Sequence, residues 1–329
     1  MPKPKVFLTR HILDGNLSLL QKHCQLKIYP KDQPIPKKEL LKEVKHCDAL
    51  LCLLTDKIDK EVIDANPHLK IIANYAVGYD NIDLAYATKK SIPVANTPGK
   101  LISEAVAEHT VALLLALAKR LREADAFTRA GNYAGWSPTL LLGSGLKGKT
   151  LGIIGLGRIG SGVAERCAHG MGMQVLYYDV IRNLKFEKKY KAIFTPLRRL
   201  LLQSDFVTLH VPLLPSTRHL ISSKELALMK KTAFFVNTSR GPVVDEKALV
   251  SALQRKQIAG AALDVFEHEP KLAPGLAKLD NILLTPHTAS STVEAREEMT
   301  MLAVRNILAA LAGKKVPHVV NKGVYGGKK

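Results

Sequence analysis

The chain has 329 residues, more than one average domain, so two domains are the natural expectation. Hydrophobic residues make up 47% and aromatic residues only 5%, which favours helices packed on buried parallel sheets. The formal net charge is +19, but the basic residues are spread in pairs and form no basic arm. We therefore interpret the charge as a solvated basic surface that attracts small anions, and we do not expect nucleic-acid binding.

The cysteines and the apolar runs exclude other classes of protein. The four cysteines show neither a CxxC pair nor zinc-ligand spacing, which predicts reduced thiols of a cytoplasmic protein and no metal site. They are Cys24, Cys47, Cys52 and Cys167. No apolar segment of a signal peptide follows the basic N-terminus. The longest apolar run, 110–118, is too short for a membrane span, so we expect a buried helix and no membrane association.

The first hundred residues alternate short apolar runs with helical stretches, a rhythm that predicts a parallel sheet with helices on both faces. The predicted strands are 6–8, 26–29, 49–54, 69–73 and 93–96. The predicted helices are 17–23, 37–44, 61–65 and 84–90.

A long helix follows, with Ser103 as its expected N-cap and residue 121 near its end. The segment 131–148 is glycine-rich and contains the one tryptophan, Trp136. The strand–helix alternation then restarts, with predicted strands at 150–154, 174–178, 206–210, 233–237, 260–264 and 281–284. A last helix is predicted at 293–311, and the Lys- and Gly-rich tail from Asn321 is expected to be disordered.

The strongest local motif is Gly155-Leu156-Gly157-Arg158-Ile159-Gly160, between a predicted strand and a helix expected to begin near Ser161. Its glycines permit a tight turn and let the backbone approach a pyrophosphate at the helix N-terminus. A bare GxGxxG can be an ordinary loop, but here the next strand ends in an acid about 20 residues further on, as a dinucleotide site requires.

That acid is Asp179. A carboxylate there accepts hydrogen bonds from a ribose diol and repels a 2′-phosphate, which predicts NAD(H) over NADP(H). Arg182 lies three residues later and could offset part of the repulsion, so NADP(H) stays possible. The alternative for Asp179 is a strand-end acid that caps a turn.

Three further candidates, Arg240, Glu269 and His287, each follow a predicted strand. A guanidinium can hold a substrate carboxylate, an acid can orient a histidine, and an imidazole can transfer a proton. Taken singly, Arg240 could equally be a surface arginine, while an acidic turn is usually solvated and a lone histidine after a strand is more often structural. Because parallel strands bind ligands beyond their carboxyl ends, one crevice could collect all three.

Over nearly its whole length, the chain resembles the D-isomer-specific 2-hydroxyacid dehydrogenases, most closely the glyoxylate/hydroxypyruvate reductase branch. The segments that carry the resemblance are 74–83, 96–98, 105–109, the glycine motif, 237–241, 264–270 and 286–287. The resemblance implies an α/β fold of two doubly wound parallel-sheet domains. A flavodoxin-like substrate domain is made from residues 1–99 and 288–329, and a Rossmann NAD-binding domain, 100–287, is inserted in it.

The resemblance also implies a role for each catalytic candidate. Arg240 would bind the carboxylate of a 2-oxo acid. His287 would donate the proton in reduction and accept it in oxidation. Glu269 would pair with His287, orient its ring and favour its charged form.

Further contacts are implied for the substrate and the cofactor. The backbone around Val77 and Gly78 would bind the carboxylate, and Trp136 would reach the partner subunit's pocket, unless it is a lone interface or core anchor. Asp264 could equally be a structural strand-end acid. The expected cofactor-binding residues are Gly155, Gly157, Arg158, Ile159, Gly160, Asp179, Val211, Pro212, Thr238, Ser239, Arg240, Asp264 and His287.

Two departures from the family pattern stand out. Thr288-Ala289-Ser290, directly after His287, replaces the usual Ile-Gly-Gly or Ile-Gly-Ser. We therefore expect cofactor contacts there that differ from those of the family. Asp179 stands where NADP-using relatives carry a small residue followed by arginine.

The function that we expect is NADH-dependent reduction of glyoxylate or hydroxypyruvate by a cytoplasmic homodimer. The alternatives are a dehydrogenase for D-lactate, 3-phosphoglycerate or phosphite, and an NAD-sensing corepressor-like protein.

Overall fold

The computed structural model describes residues 2–325, and the chain divides into two compact units. One unit comprises Met1–Ile102 and Ser291–Lys329, and the other comprises Ser103–Ser290. Each unit holds one sheet whose strands pair in parallel, which confirms the predicted fold class.

The strands are short and mostly buried. In chain order they are β1 (Lys5–Leu8), β2 (Gln25–Ile28), β3 (Ala49–Leu53), β4 (Ile71–Tyr75), β5 (Val94–Ala95), β6 (Thr150–Ile154), β7 (Gln174–Tyr178), β8 (Ile193–Phe194), β9 (Phe206–Leu209), β10 (Phe234–Asn237), β11 (Gly260–Leu263) and β12 (Ile282–Leu284). Strand β4 is buried at every position, as a strand covered by helices on both faces must be.

The α-helices connect and cover these strands. They are α1 (Leu17–His23), α2 (Lys37–Val44), α3 (Lys60–Asp64), α4 (Leu84–Lys89), α5 (Lys100–Ala118), α6 (Leu121–Arg129), α7 (Arg158–Glu165), α8 (Leu184–Tyr190), α9 (Leu197–Gln203), α10 (Ser223–Leu228), α11 (Glu246–Gln254) and α12 (Val293–Leu311). A π-helical turn, Arg166–Gly170, continues α7.

The first unit has five strands in the order β2-β1-β3-β4-β5. The C-terminal helix α12 belongs to this unit and packs on β4, where the Tyr75 hydroxyl donates to the Arg296 carbonyl at 2.8 Å. The core contains Phe7, Leu50 and Ile72 on successive strands.

The second unit has seven strands in the order β12-β11-β10-β9-β6-β7-β8. Two apolar cores cover its opposite faces, and neighbouring residues of β10 alternate between them: Phe235 joins one and Val236 the other. The strand order reverses between β6 and β9, and ligands of such sheets bind beyond the carboxyl ends of the strands at that point.

Several sequence-based boundaries were wrong for reasons that lie far along the chain. Helix α5 begins at Lys100 and not at Ser103, because the Glu298 carboxylate accepts hydrogen bonds from the backbone N–H groups of residues 100–102. Helix α7 begins inside the glycine motif and not near Ser161. Strand β8 was not among the predicted strands.

The expectation of a disordered tail was also wrong over 321–325. Asn321 is buried, accepts from the Val94 N–H at 2.8 Å and donates to the Ile92 carbonyl at 2.9 Å. A 3₁₀ turn, Lys322–Tyr325, follows. Residues 326–329 of the predicted tail lie outside the described residues.

Among the described residues, helix α5 alone is long and apolar enough to cross a membrane by length and composition. The helix has 19 residues, so the apolar run 110–118 underestimated the length of the apolar helix. In the structure 56% of its most apolar window is buried, as in a helix that belongs to a core. The four cysteines are free and buried, which agrees with the prediction that they form no disulfide framework.

Candidate active site

The glycine motif forms the turn from β6 into α7. Gly155 has a φ of +95°, and a Cβ there would lie 2.7 Å from the His210 carbonyl oxygen. A Cβ at Gly160 would overlap the Gly155 carbonyl oxygen. Packing therefore requires glycine at both positions.

Gly157 differs from both of these glycines. Its φ is −72°, which any residue adopts, and a Cβ there would meet nothing within 4 Å. The protein itself does not require glycine at this position, which stands at the N-terminal end of α7. An open backbone at a helix N-terminus fits the pyrophosphate of a dinucleotide.

The Asp179 carboxylate lies directly against this motif. It accepts hydrogen bonds from the backbone N–H groups of Leu156 and Val180, both at 2.6 Å. It therefore closes the loop, as the turn-capping alternative supposed, and it also places a negative charge beside the glycine motif.

Arg182 is held by another carboxylate. Its guanidinium makes two 2.8 Å hydrogen bonds to Glu187, which also accepts from the Tyr177 hydroxyl at 2.7 Å. The hydrogen bonds from Arg182, the larger effect, and from Tyr177 lower the pKa of Glu187 to about 2. The arginine that could have offset the charge of Asp179 is thus engaged with its own acid.

The Arg240 loop is fixed by the buried Asn237 at the end of β10. The Asn237 amide donates to the Arg240 carbonyl at 3.0 Å and accepts from the Ser239 N–H at 2.9 Å. A Cβ at Gly241 would overlap the Phe266 carbonyl group, so glycine is needed where this loop meets the next one. The motif 237–241 therefore forms a loop that packs closely on the next loop at Gly241, and Arg240 precedes that contact by one residue.

Glu269 and His287 form a hydrogen-bonded pair. The distance from His287 Nδ1 to Glu269 Oε2 is 2.9 Å, and Glu269 Oε1 accepts from the Phe266 N–H at 3.0 Å. Burial raises the pKa of Glu269, but the hydrogen bond and charge of His287, the Phe266 N–H and the charge of Arg240 together hold it below its usual range. The acid is therefore ionised at neutral pH, and Nε2 is the ring nitrogen left for a reaction partner.

The buried carboxylate of Asp264 holds the turn that carries His287. It accepts from the Thr285 hydroxyl at 2.6 Å and from the N–H groups of Thr288 at 2.8 Å and Ala289 at 2.9 Å. The His287 N–H donates to the Asp264 carbonyl at 2.8 Å, and His287 has a φ of 56°. A left-handed histidine is strained, so its turn needs such support.

Sequence reasoning missed His109, whose Nε2 lies 3.2 Å from the Thr285 hydroxyl and 3.6 Å from Asp264. Burial raises the pKa of Asp264, but His109, Thr285 and the backbone donors lower it by more. The motif 105–109 contained His109, yet only the fold brings α5 to the end of β11. The polar contacts of Asp264 fit its alternative role as a structural acid.

The neighbouring acid Glu267 has a different partner. Its Oε1 lies 2.6 Å from His219 Nε2 and 3.8 Å from Arg218. The loop 266–269 thus presents two glutamates to two histidines, and Glu269 is the one that reaches His287.

The remaining predicted site residues are distributed over both units. Val77 and Gly78 lie in the first unit, in the loop after β4. In the second unit Val211 and Pro212 follow β9, and the buried Thr238 shares a 2.8 Å hydrogen bond with Thr110. Trp136 is 83% exposed, so the core-anchor alternative was wrong. Residues 2–325 contain no cluster of three or more His, Cys, Asp or Glu side chains suited to a metal.

A glycine loop, a strand-end acid and a His–Glu pair on one parallel sheet define a dinucleotide-dependent oxidoreductase of the Rossmann class. The model of a family described as D-isomer specific 2-hydroxyacid dehydrogenase, NAD binding domain, matches residues 111–289. The chain belongs to the D-isomer-specific 2-hydroxyacid dehydrogenase family, and it is a pyridine-nucleotide-dependent enzyme.

Relatives match over almost the whole chain. A glyoxylate reductase of Thermococcus litoralis is 49% identical over 326 residues, with 98% of each chain covered. Among solved structures, the TT0316 protein from Thermus thermophilus has a TM-score of 0.90 and 41% identity, over 96% of this chain and 99% of that one. A D-lactate dehydrogenase from Aquifex aeolicus, solved with NAD and lactic acid, has a TM-score of 0.85 and 34% identity, over 96% and 99%.

Gly157 gives the first prediction. Gly157→Ala should fold with an unchanged melting temperature, because its Cβ meets nothing, but the methyl group should weaken NADH binding by about tenfold or more by keeping the pyrophosphate from the backbone. Gly160→Ala is the matched control and should lose stability, because its Cβ overlaps Gly155. Calorimetry and NADH fluorescence titration measure both effects. Unchanged NADH affinity in Gly157→Ala would contradict the proposal that the pyrophosphate binds at the N-terminal end of α7, beside Gly157.

Proposed function

We propose that this protein uses NADH to reduce a short 2-oxo acid, glyoxylate or hydroxypyruvate, to the D-2-hydroxy acid. The observation that carries the proposal is the 2.9 Å pair of Glu269 and His287 in the unit that also bears Arg240 and the glycine motif. Similarity to glyoxylate reductases over the whole chain supports the substrate class.

Three residues would divide the chemistry between them. NADH, when bound, supplies a hydride for the carbonyl carbon of the substrate. Nε2 of His287 gives its proton to the oxygen on which negative charge develops, while Nδ1 stays bonded to Glu269. The Glu269 carboxylate stabilises the imidazolium before transfer. The Arg240 guanidinium would bind the substrate through two hydrogen bonds. In the first unit, the backbone N–H groups of Val77 and Gly78 are proposed separately as donors to the substrate carboxylate.

A turnover assay with a panel of substrates tests the proposal. Glyoxylate and hydroxypyruvate should be reduced faster than pyruvate and 3-phosphohydroxypyruvate. Phosphite, tested in the oxidising direction with NAD, should react more slowly than either. Absence of turnover on the whole panel, together with tight NADH binding, would favour a cofactor-sensing protein instead.

The catalytic assignment predicts that His287→Ala and Arg240→Ala each lose roughly 10²–10⁴-fold in reduction rate. NADH affinity should stay within a few-fold, because the glycine motif and Asp179, the contacts expected for the pyrophosphate and the ribose, are unchanged even though Arg240 and His287 also lie beside the expected cofactor site. The matched control is His219→Ala, which removes the other histidine that contacts a glutamate of the 266–269 loop and should keep most activity. Near-normal turnover by His287→Ala would overturn the assignment.

The pH profile depends on Glu269. Because the pKa of this acid is held below its usual range, it is ionised throughout the neutral range and stabilises the imidazolium there. Glu269→Gln removes that charge, so the imidazolium loses its proton more easily and the fall of kcat/KM for reduction with rising pH should begin at lower pH. Glu267→Gln is the control and should leave the profile in place. Superimposable profiles for wild type and Glu269→Gln would show that Glu269 is not the partner.

The cofactor preference should follow from the charges at the end of β7. Asp179 places a negative charge beside the glycine motif, and Glu187 holds Arg182 in a two-point ion pair, so we propose a preference for NADH over NADPH. Asp179→Ser should reduce that preference, and Asp179→Ser with Glu187→Ala should reduce it further, because Arg182 is then released. Dissociation constants and kcat/KM for both cofactors measure this. A wild type that favours NADPH would contradict it.

We also propose that the protein is a homodimer that associates through α6 and the segment after it. Helix α6 has no buried residue, and large apolar side chains are exposed there: Leu121 (54%), Tyr133 (57%), Trp136 (83%) and Leu142 (66%). One self-complementary patch serves both copies in a two-fold dimer, and so much exposed apolar surface favours a partner.

Light scattering should therefore give about twice the chain mass of 36.0 kDa at micromolar concentration. Leu142→Lys should shift the mass towards the monomer, whereas Ile193→Lys, at another exposed apolar residue, should not. A wild-type mass of one chain would contradict the proposal.

A further inference from the structure

Three successive carbonyl groups after β4, those of Ala76, Val77 and Gly78, are all bound by donors from the same unit. In the same order, the donors are the Thr97 N–H (2.9 Å), the Asn96 side-chain amide (2.7 Å) and the Asn74 side-chain amide (2.8 Å). Both asparagines are buried, Asn74 completely. Their amides therefore control the direction of the loop's carbonyl groups.

The direction of these carbonyls determines the direction of the next N–H groups. In a planar trans peptide, the C=O and the N–H point opposite ways. The N–H groups of Val77, Gly78 and Tyr79 therefore point away from the three donors, and none of them donates to an acceptor within residues 2–325. The loop becomes exposed along this stretch, with Tyr79 40% exposed. Consecutive N–H groups that face outward form a receptor for an anion.

We propose that Asn74 and Asn96 are positioning residues that hold these three N–H groups ready for the substrate carboxylate, and that they set the affinity for the 2-oxo acid. This rests on the proposed function, in which that loop binds the carboxylate, and it adds the Tyr79 N–H as a third donor. A receptor oriented before binding needs no ordering when the substrate arrives, and hydrogen bonds to a charged group are the stronger ones.

The two amides are themselves held in place. Asn74 Nδ2 donates to Asn81 Oδ1 at 3.1 Å, and Asn81 donates to the carbonyls of Leu53 and Asp56. The Asn96 carbonyl accepts from the buried Asn306 amide at 3.0 Å. The motifs 74–83 and 96–98 are separate in sequence. Both supply hydrogen-bond donors to the backbone carbonyls of the loop after β4.

The test uses Asn74→Ala and Asn96→Ala in the full chain. Each should raise KM for glyoxylate by about tenfold, the loss expected when donors to a charged group are misdirected, with kcat within about threefold. Calorimetric affinity of the enzyme–NADH complex for oxamate, an unreactive carboxylate, should fall by the same factor, and NADH affinity should not change. The matched control is Asn66→Ala, a buried asparagine of the same unit that donates to the Val44 and Cys47 carbonyls and should leave KM and oxamate affinity unchanged.

The inference is overturned if Asn74→Ala and Asn96→Ala change KM and oxamate affinity no more than Asn66→Ala does. If an alanine variant does not fold, the serine variant at the same position replaces it and must show the same loss. Failure of the proposed function looks different, because the wild type itself then neither reduces glyoxylate nor binds oxamate in its NADH complex.

Discussion

The ionised carboxylate of Asp264, fully buried at the end of β11, is the constraint on which the position of His287, the proposed proton donor, depends. A buried charge is costly unless donors surround it, and here Thr285, the N–H groups of residues 288 and 289, and His109 provide them. Those donors come from α5 and from the turn after β12, so one charge joins three elements. The same turn keeps His287 in a left-handed conformation, from which its ring reaches Glu269.

Glycine has two separate purposes in this protein. Gly155, Gly160 and Gly241 permit close approaches between protein segments, and a side chain at any of them would collide with backbone. A Cβ at Gly157 would meet nothing, so packing does not require glycine there, as expected if the pyrophosphate binds at this position. Two acids differ in a similar way. Asp264 accepts hydrogen bonds from protein donors on all sides, so its role is structural. Glu269 is bonded to His287, whose second ring nitrogen is left for a reaction partner.

The periodicity of the sequence predicted most of the fold because each buried parallel strand is a continuous apolar run, as in β6 and β7, whose bounds were predicted correctly. The position of Arg240 and His287 beyond strand ends was also visible in the sequence, but only the resemblance implied the roles that we propose for them. What the sequence did not show depends on distant contacts. Glu298 accepts hydrogen bonds from the first N–H groups of α5, Asn321 holds the C-terminal segment on β5, and Glu187 forms an ion pair with Arg182. No local sequence pattern predicts these contacts.

Proton uptake on binding a carboxylate analogue tests whether His287 is the proton donor paired with Glu269. Binding of oxamate to the enzyme–NADH complex should be coupled to proton uptake, because the ring whose Nδ1 is bonded to Glu269 can donate from Nε2 only when it carries a second proton. Calorimetry in buffers of different ionisation enthalpy measures this uptake directly. Proton uptake should disappear in His287→Asn while oxamate still binds. Equal proton uptake by wild type and His287→Asn would exclude His287 as the donor, because the proton would then be held by another group.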